Sequence, residues 1–337
     1  MISISIVIPV YNVEKYVERC LNSVENQNYN GKLDCIIVDD CGNDNSMSLV
    51  NAFVYSHQNS RINYIILSHT QNRGLSEARN TGIRESTSDY IFFLDSDDEI
   101  PYNAMSLLAN EVHKHPEIDI VMGFMYSATK NDYYNIEKYR NHQYITDPNW
   151  LRYQSFKDGE NIQVTACNKL TKKKFITENN LFFYPNIIHE DNLWMFDLLK
   201  HIRSFAFVYE PTYIRYINEG SITTSSDKTV ENESWKKILF NISLSLNEPF
   251  RALKIGRYCH RYFAHNLYLH NQYDKKTIRN FAKASLKCYH IKLCILLTIW
   301  YFFPFSHKNR LKNYIQKLSF KIYHSETIKY SSQYSIE

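Results

Sequence analysis

The sequence lacks several features that would place it outside the globular proteins. Its 337 residues contain no fixed-period repeat and no low-complexity tract, which excludes solenoids and largely disordered chains. The first ten residues carry no charged leader and suit a strand, so we expect no cleavable secretion signal. The seven cysteines are odd in number and include no Cys-x-x-Cys pair. That pattern favours reduced thiols in the cytoplasm over a disulfide framework.

Two apolar segments of the chain end abruptly in acidic side chains. Residues 90–94 are followed by Asp-Ser-Asp-Asp at 95–98, and residues 33–38 are followed by Asp-Asp at 39–40. Carboxylates this close raise one another's pKa unless water or a cation compensates their charge. Oxygen-rich sites suit Mg²⁺ or Mn²⁺. The segment 95–98 therefore predicts a metal site.

An ordinary acidic loop is the alternative, in which Asp97 or Asp98 caps a helix that has Pro101 in its first turn. The preceding chain favours the metal site, because strand-like segments alternate with helix-length segments. The strands are expected at 5–12, 33–38, 62–67 and 90–94, with a helix at 75–85. This alternation predicts an α/β fold with a mostly parallel central sheet. In such folds ligands bind outside the carboxyl ends of the strands, where the acidic ends would converge.

Five short motifs lie in order along the first two hundred residues. They are Ile8-Pro9-Val10-Tyr11-Asn12, Val38-Asp39-Asp40 followed by Asp44, the segment Asn72 to Gly82, Asp95-Ser96-Asp97-Asp98, and His189-Glu190-Asp191. In order and spacing the chain resembles the inverting, nucleotide-sugar-dependent glycosyltransferases of the GT-A fold, glycosyltransferase family 2. The resemblance implies a GT-A catalytic domain at 1–225, with a donor half at about 1–115 and an acceptor half at 116–225. A helical, basic region is expected at 226–337.

The resemblance assigns the nucleotide base to the loop after the first strand and to Asp40. The loop residues concerned are Pro9, Tyr11 and Asn12. Backbone amides and a helix N-terminus beside such a loop also favour a phosphate or a base edge on physical grounds. As an alternative role, Asp40 would cap the helix that begins near Asp44.

Further donor contacts are expected from two later segments. Gly74, after Asn72, permits close approach of the backbone. Arg79 would place a permanent cation near ribose or diphosphate oxygens, and its alternative is a surface position on a helix. Arg215 and Ser221 lie in a segment that resembles the part of the family returning over the diphosphate.

The resemblance also assigns roles within the acidic motif. Asp95 would hold the ribose beside Ser96, and Asp97 would coordinate a Mn²⁺ or Mg²⁺ ion that bridges the diphosphate, with Asp98 as the alternative ligand. Mg²⁺ commonly uses only one or two carboxylates together with phosphate oxygens and water. The cation would neutralise the charge of the leaving nucleoside diphosphate. Many relatives carry His at the position of Asn218. This chain therefore departs from the family at a residue expected to be a third protein ligand of the metal.

Asp191 is the candidate general base, and Glu190 is the less favoured one. Both residues open an apparently helical segment whose apolar stripe runs from Leu193 to Ile202. A base on the acceptor hydroxyl, in line with the breaking bond, gives inversion in a single displacement. The alternative is that these acids only stabilise the N-terminus of a helix.

The C-terminal region carries an uneven charge. Residues 251–325 contain 15 Lys and Arg and one acid, a net charge of 15 − 1 = +14 in a chain of +4. The uncharged apolar run at 293–305 is shorter than the roughly 20 residues that span a bilayer. A basic, aromatic-rich segment of this kind suits the surface of an anionic membrane. The alternatives are a helical pair packed on the catalytic domain and a nucleic-acid patch, which no recognised motif supports.

The segment 127–165 is rich in Asn, Asp and Tyr and only weakly periodic. It suggests an insertion or lid beside the acceptor site. Its tyrosines, including Tyr133, Tyr134 and Tyr139, would stack on sugar rings, although tyrosine is abundant throughout the chain, with 27 residues.

Together these features predict a cytoplasmic enzyme, peripheral on the inner face of the cell membrane. It would move a sugar from a nucleotide donor, UDP-linked by preference, to a saccharide or polyprenyl-linked glycan in cell-surface polysaccharide synthesis. A non-catalytic nucleotide-sugar-binding scaffold is one rival, but it is expected to lack Asp97 or Asp191. A sugar-phosphate nucleotidyltransferase is another, but it requires a glycine-rich phosphate loop, and residues 9–15 contain no glycine.

Overall fold

The chain folds into two compact units. A computed structural model describes residues 1–133, 143–156, 162–218, 228–246, 250–264, 274–302 and 310–334. The first unit comprises Met1–Pro148, Val164–Asn186 and Trp194–Ser225, and the second comprises Asn149–Gln163, Ile187–Leu193 and Ser226–Glu337. Over the described residues every strand lies in the first unit, and the second unit is helical.

One sheet forms the centre of the first unit. Its described strands are β1 (Ile4–Val10), β2 (Leu33–Asp39), β3 (Asn63–Ser68), β4 (Tyr90–Phe93), β5 (Ile120–Ser127), β6 (Asp132–Tyr133), β7 (Tyr144–Ile145), β8 (Lys169–Lys172) and β9 (Phe205–Arg215). They follow the order β3-β2-β1-β4-β8-β5-β9-β7, with β6 beside β5. The first four strands in this order are parallel, and β8 runs antiparallel between β4 and β5. The predicted α/β fold class with a mostly parallel sheet is confirmed.

The pairing register brings the acidic segments together. β1 and β4 are buried along their whole length, as expected for parallel strands that are covered on both faces. Val10 at the end of β1 pairs with Asp39 of β2, while Val7 pairs with Phe93 at the end of β4. Segments 39–40 and 95–98 therefore follow the two strands that flank the end of β1.

Helices connect strands of the first unit and make up the second unit. Those of the described residues are α1 (Val17–Glu25), α2 (Ser46–Ser56), α3 (Leu75–Glu85), α4 (Ala104–Lys114), α5 (Pro148–Phe156), α6 (Lys173–Glu178), α7 (Glu190–His201), α8 (Lys228–Leu244), α9 (Arg251–Ala264), α10 (Lys275–Lys287), α11 (Ile291–Phe302) and α12 (Arg310–Tyr334). The predicted helix at 75–85 is confirmed as α3. The alternative in which Asp97 or Asp98 caps the next helix is wrong, because α4 has Asn103 at its N-cap.

The second unit packs its helices around aromatic side chains. The rings of Phe263 on α9 and Trp300 on α11 meet edge to face at 5.4 Å, and both are fully buried. Gly256 on α9 allows close approach to α12, because an added Cβ would lie 2.7 Å from the Cα of Tyr323. In the part of the chain that the structure describes, no helix is both long enough and apolar enough to cross a membrane.

The segment 127–165 holds β6, β7 and α5. Tyr133 is 49 % exposed, and its ring lies 5.1 Å from that of Tyr126. Tyr134 and Tyr139 lie outside the described residues.

All seven cysteines are free thiols.

Candidate active site

Asp40 shapes the loop after β3. Its carboxylate accepts hydrogen bonds from the backbone N–H groups of Arg73 and Gly74, both at 2.8 Å, and lies 2.7 Å from Nδ1 of His69. Because a carboxylate only accepts, that histidine nitrogen donates. Gly74 has a φ of +82°, a conformation that favours glycine. The capping role considered for Asp40 is wrong, since Asn45 holds the N-cap of α2.

Arg79 and Asp95 form an ion pair at the end of β4. Arg79 Nη2 lies 2.8 Å from Asp95 Oδ1, and the two side chains are 2 % and 32 % exposed. The guanidinium also lies 5.3 Å from the ring centroid of Phe183. A surface position for Arg79 is therefore wrong. The pair leaves Asp95 as a charge-compensated carboxylate that still reaches solvent.

Asp97 has a different environment from Asp95. Its Oδ2 accepts a hydrogen bond from Asn218 Nδ2 at 3.0 Å. Burial, and after it the charge of Asp95, raises the pKa of Asp97, while Asn218 and Arg19 lower it by less. The carboxyl group of Asp97 therefore ionises less readily than that of an ordinary aspartate. A cation bound at this carboxylate would relieve both effects.

Asp98 anchors the loop 95–98 to the strand β9. Its Oδ2 accepts a hydrogen bond from the Tyr213 hydroxyl and its Oδ1 from the Tyr216 N–H, both at 2.8 Å. Burial, followed by the charges of Asp95 and Asp97, raises the pKa of Asp98 to about 8. To act as the alternative metal ligand, Asp98 would have to give up one of these bonds.

Arg19 on α1 joins the same loop to the segment after β9, and it was not predicted. Its Nη2 donates to the backbone carbonyl of Asp97 at 2.5 Å, and its Nε lies 3.0 Å from Oε1 of Glu99. The guanidinium stacks 3.6 Å from the ring centroid of Tyr216, whose hydroxyl donates to Glu99. Arg19 therefore fixes the position of the loop that carries Asp97. No local sequence signal marks it, because it precedes Asp97 by 78 positions.

The predicted base-binding loop follows the buried end of β1. Pro9 is buried in the strand, and Tyr11 is 49 % exposed. Asn12 adopts a φ of +53°, and its Oδ1 accepts a hydrogen bond from the N–H of Asn43 at 2.9 Å. The loop thus presents an exposed aromatic ring at the edge of the sheet that carries Asp40.

The remaining predicted donor residues have mixed positions. Asn72 is exposed, Ser96 is buried between the acids, and Arg215 is half-buried at the end of β9. Ser221 lies outside the described residues. The structure therefore adds no contact to the prediction for Ser221.

The candidate base lies at the first turn of α7, in the second unit. Glu190 is 5 % exposed and Asp191 is half-buried. The preceding His189 stacks on Trp235, with ring centroids 5.3 Å apart, and its Nε2 lies 3.6 Å from Glu231 Oε1. Burial lowers the pKa of His189, partly offset by Glu231. The predicted helix start is confirmed, and so is the burial of its apolar stripe.

The surroundings of Asp97 suit a cation that binds few protein ligands. No group of three or more His, Cys, Asp and Glu side chains able to hold a metal ion occurs within the described ranges. Mg²⁺ and Mn²⁺ accept carboxylate and amide oxygens and keep several positions for water or phosphate. The carboxylate of Asp97 fits that chemistry. Asn218 donates from Nδ2 to this carboxylate, so its amide would have to turn before its oxygen could contact a cation.

Comparison with known proteins identifies the family. Residues 5–178 match the family model described as "Glycosyl transferase family 2". The chain belongs to glycosyl transferase family 2. The resemblance inferred from the five motifs is confirmed, and with it the enzyme class of glycosyltransferases.

The relatives that are similar to this chain differ in length. "Glycosyltransferase GlyA" of Streptococcus pneumoniae is 35 % identical over 38 % of this chain and 18 % of its own length. An uncharacterized glycosyltransferase of Haemophilus influenzae is 27 % identical over 67 % of this chain and 82 % of its own. The "Minor teichoic acid biosynthesis protein GgaB" of Bacillus subtilis is 27 % identical over 71 % of this chain. This chain spans 25 % of GgaB.

A solved structure supports the fold. The chain matches Staphylococcus aureus TarS 1–349, crystallised in complex with UDP-GlcNAc, with a TM-score of 0.69. The match covers 97 % of this chain and 92 % of that one, at 18 % sequence identity. At this identity the likeness establishes the GT-A fold and leaves donor and acceptor open.

Proposed function

We propose that this family 2 enzyme transfers a sugar from a UDP-linked donor to a saccharide acceptor with inversion at the sugar carbon. The main support for this proposal is the contrast between two acids of the loop 95–98. Arg79 neutralises Asp95, whereas the pKa of Asp97 is raised. A nucleoside diphosphate with its bound cation complements this arrangement of carboxylates. The UDP and UDP-GlcNAc complexes of TarS support the choice of donor class.

Asp97 is proposed to hold a Mn²⁺ or Mg²⁺ ion, with Asn218 beside it. When bound, the cation supplies charge neutralisation on the diphosphate leaving group. Asp95 is proposed to accept a hydrogen bond from the ribose, because its partly exposed carboxylate is already oriented by Arg79. Arg215 remains a proposed diphosphate contact.

The base of the nucleotide is proposed to lie against the loop after β1. Tyr11 offers an exposed ring for stacking, and the peptide groups of Pro9 and Asn12 offer polar contacts. Asp40 supports this site by holding the backbone of the loop that contains Gly74.

Asp191 is proposed as the general base, with Glu190 as the less favoured candidate. A half-buried carboxylate at a helix start keeps access to an incoming hydroxyl, whereas Glu190 is almost fully buried. Removal of the acceptor proton during attack increases the nucleophilicity of the oxygen. Attack opposite the leaving diphosphate gives inversion.

The acceptor is proposed to be a polyprenyl-linked glycan at the inner face of the cell membrane. The relationship to a teichoic acid biosynthesis protein supports a cell-surface polymer. The basic region 251–325 supports a cytoplasmic enzyme that is peripheral on the anionic leaflet. No nucleic-acid partner is proposed.

A transfer assay tests this function. The full chain is incubated with Mn²⁺, a panel of UDP-sugars that includes UDP-GlcNAc, and polyprenyl-linked acceptors, while UDP release and the product are measured. We expect acceptor-dependent UDP release, and a product anomer opposite to that of the donor by NMR. Retention at the anomeric carbon would contradict the mechanism. Absence of both transfer and nucleotide binding would contradict the function itself.

A further inference from the structure

The helix α11 is apolar on two opposite sides. Its buried side consists of Leu293, Leu297 and Trp300, each 0 % exposed. Its other side, here called the exposed stripe, consists of Ile291 (56 %), Ile295 (52 %), Ile299 (40 %) and Phe302 (66 %). A helix that is apolar all round is normally buried on every side. The exposed stripe is therefore a surface that a partner would cover.

The turn before α11 extends this surface. α10 and α11 form an antiparallel hairpin, since Lys275 at the start of α10 lies 5.7 Å from the ring of Tyr301 at the end of α11. At the opposite end of the hairpin, Leu286 is 57 % exposed and Tyr289 is 89 % exposed. Apolar side chains therefore continue from the stripe to the hairpin tip.

Cations flank the apolar surface. Lys283 and Lys287 on α10 and Lys292 on α11 are exposed. The acid of this region, Asp274, caps the other end of α10, where its carboxylate accepts a hydrogen bond from the N–H of Lys276. The surroundings of the stripe are therefore strongly positive.

We propose that the exposed stripe and the hairpin tip insert into the interface of an anionic lipid membrane, with Lys283, Lys287 and Lys292 at the headgroups. Amphipathic surfaces that join apolar side chains to lysines bind anionic bilayers in this way. The proposal rests on the proposed function only for the membrane-bound acceptor, because the surface lies apart from the donor residues in sequence and chemistry.

Charge favours a membrane over the other occupants of such a surface. A symmetric dimer through the stripe would place two copies of the same lysine-rich surface against each other. A nucleic acid would match the lysines but leave the isoleucines uncovered. An anionic bilayer complements both the charge and the apolar side chains.

Vesicle co-sedimentation of the full chain tests the proposal. Vesicles of phosphatidylcholine alone are compared with vesicles containing roughly 30 % phosphatidylglycerol, a content that gives a negative surface potential. We expect binding to the anionic vesicles only. The variant Ile295→Gln/Ile299→Gln should weaken this binding by about tenfold or more. Each of Lys283→Gln and Lys287→Gln should weaken it about fivefold.

A matched control replaces equally exposed apolar residues elsewhere in the second unit. Leu244→Gln and Ile328→Gln, at positions 61 % and 59 % exposed, should leave vesicle binding unchanged. Equal binding by the Ile295→Gln/Ile299→Gln variant and the wild type would overturn the proposal, as would no binding by the wild type. A concentration-dependent dimer that this variant abolishes, without vesicle binding, would assign the stripe to a second copy.

UDP binding, measured on the same proteins, separates this proposal from the proposed function. All stripe variants should bind UDP as the wild type does, which also shows that they fold. If neither the wild type nor any variant bound UDP while the wild type still bound vesicles, the glycosyl-transfer proposal would be rejected and the membrane-binding proposal would be retained.

Discussion

The acidic loop 95–98 and the α10–α11 hairpin both concentrate charge of one sign, but they accommodate it differently. In the loop each acid has its own partner: Arg79 for Asp95, Asn218 for Asp97, and Tyr213 with the Tyr216 N–H for Asp98. Burial raises the pKa of Asp97 and Asp98. On the hairpin the lysines are exposed, and Lys292 lies 5.1 Å from the ring centroid of Tyr314. Buried charge therefore demands a specific ligand, whereas surface charge suits an extended partner.

The largest expected effect separates donor binding from chemistry. Asp191→Asn should lower the transfer rate by roughly 10²–10⁴-fold, the usual contribution of a general base, and leave UDP affinity unchanged. Asp197→Asn, on the same helix, is a matched control that should transfer normally. The measurements are turnover and calorimetric UDP affinity. Equal loss of both in Asp191→Asn would refute the proposed division of roles.

The Arg79–Asp95 pair tests how far the loop depends on charge compensation. Arg79→Gln should lower the free energy of unfolding by roughly 2–3 kcal/mol, because it leaves a partly buried carboxylate without its cation. Arg84→Gln, at the exposed end of the same helix, should cost less than about 0.5 kcal/mol. Urea denaturation measures both values. Similar losses of unfolding free energy in the two variants would show that the Arg79–Asp95 ion pair does not stabilise the fold.

Arg19 tests whether the loop needs to be held in place from α1. Arg19→Gln should weaken Mn²⁺-dependent UDP binding about tenfold, since the carbonyl of Asp97 loses its donor and Tyr216 loses its stacking partner. Arg19→Lys should recover part of the affinity, because a cation remains. Glu18→Gln, exposed on the same helix, provides the control. Unchanged binding by Arg19→Gln would remove Arg19 from the site.

His189 gives the smallest effect and concerns the second unit. Its pKa is lowered by burial, so the folded state favours the neutral ring relative to an unfolded value of about 6.5. Its contribution to stability is therefore present above that value and is lost as the pH falls through the lower folded pKa. We expect the free energy of unfolding to decrease as the pH falls below about 6.5, where the unfolded chain begins to bind a proton that the folded state disfavours. His189→Gln should flatten this slope, while His113→Gln, at an exposed position, should not.

The sequence was sufficient to predict α3 and the ends of β2 and β4. The first strand, expected at 5–12, ends earlier, at Val10. Apolar runs that stop at charged residues locate β2 and β4, and both acidic segments fall at those ends as expected. The start of α4 was not predictable from the acids, because Asp98 bonds to Tyr213 and Tyr216 rather than to its own helix. Tyr213 lies in β9 and Tyr216 directly after it, 115 and 118 residues beyond Asp98.

Long-range contacts also limited the prediction of the site. Asp40 and Arg79 belong to local motifs and were identified, whereas Arg19 has no motif and acts only through the fold. The buried guanidinium of Arg79 contacts the ring of Phe183. These two residues are far apart along the sequence, so no local pattern predicts their contact. The grouping of 149–163 and 187–193 with the C-terminal helices likewise has no local signal.

The central claim is that Asp97 binds the cation of a nucleotide-sugar donor. Calorimetric titration of the full chain with UDP, and separately with GDP, in Mn²⁺ and then in EDTA, tests it most directly. The account predicts UDP binding in Mn²⁺ that weakens at least about 100-fold in EDTA and equally in Asp97→Asn. UDP binding that is indifferent to EDTA and to Asp97→Asn, or absent under every condition, would contradict it.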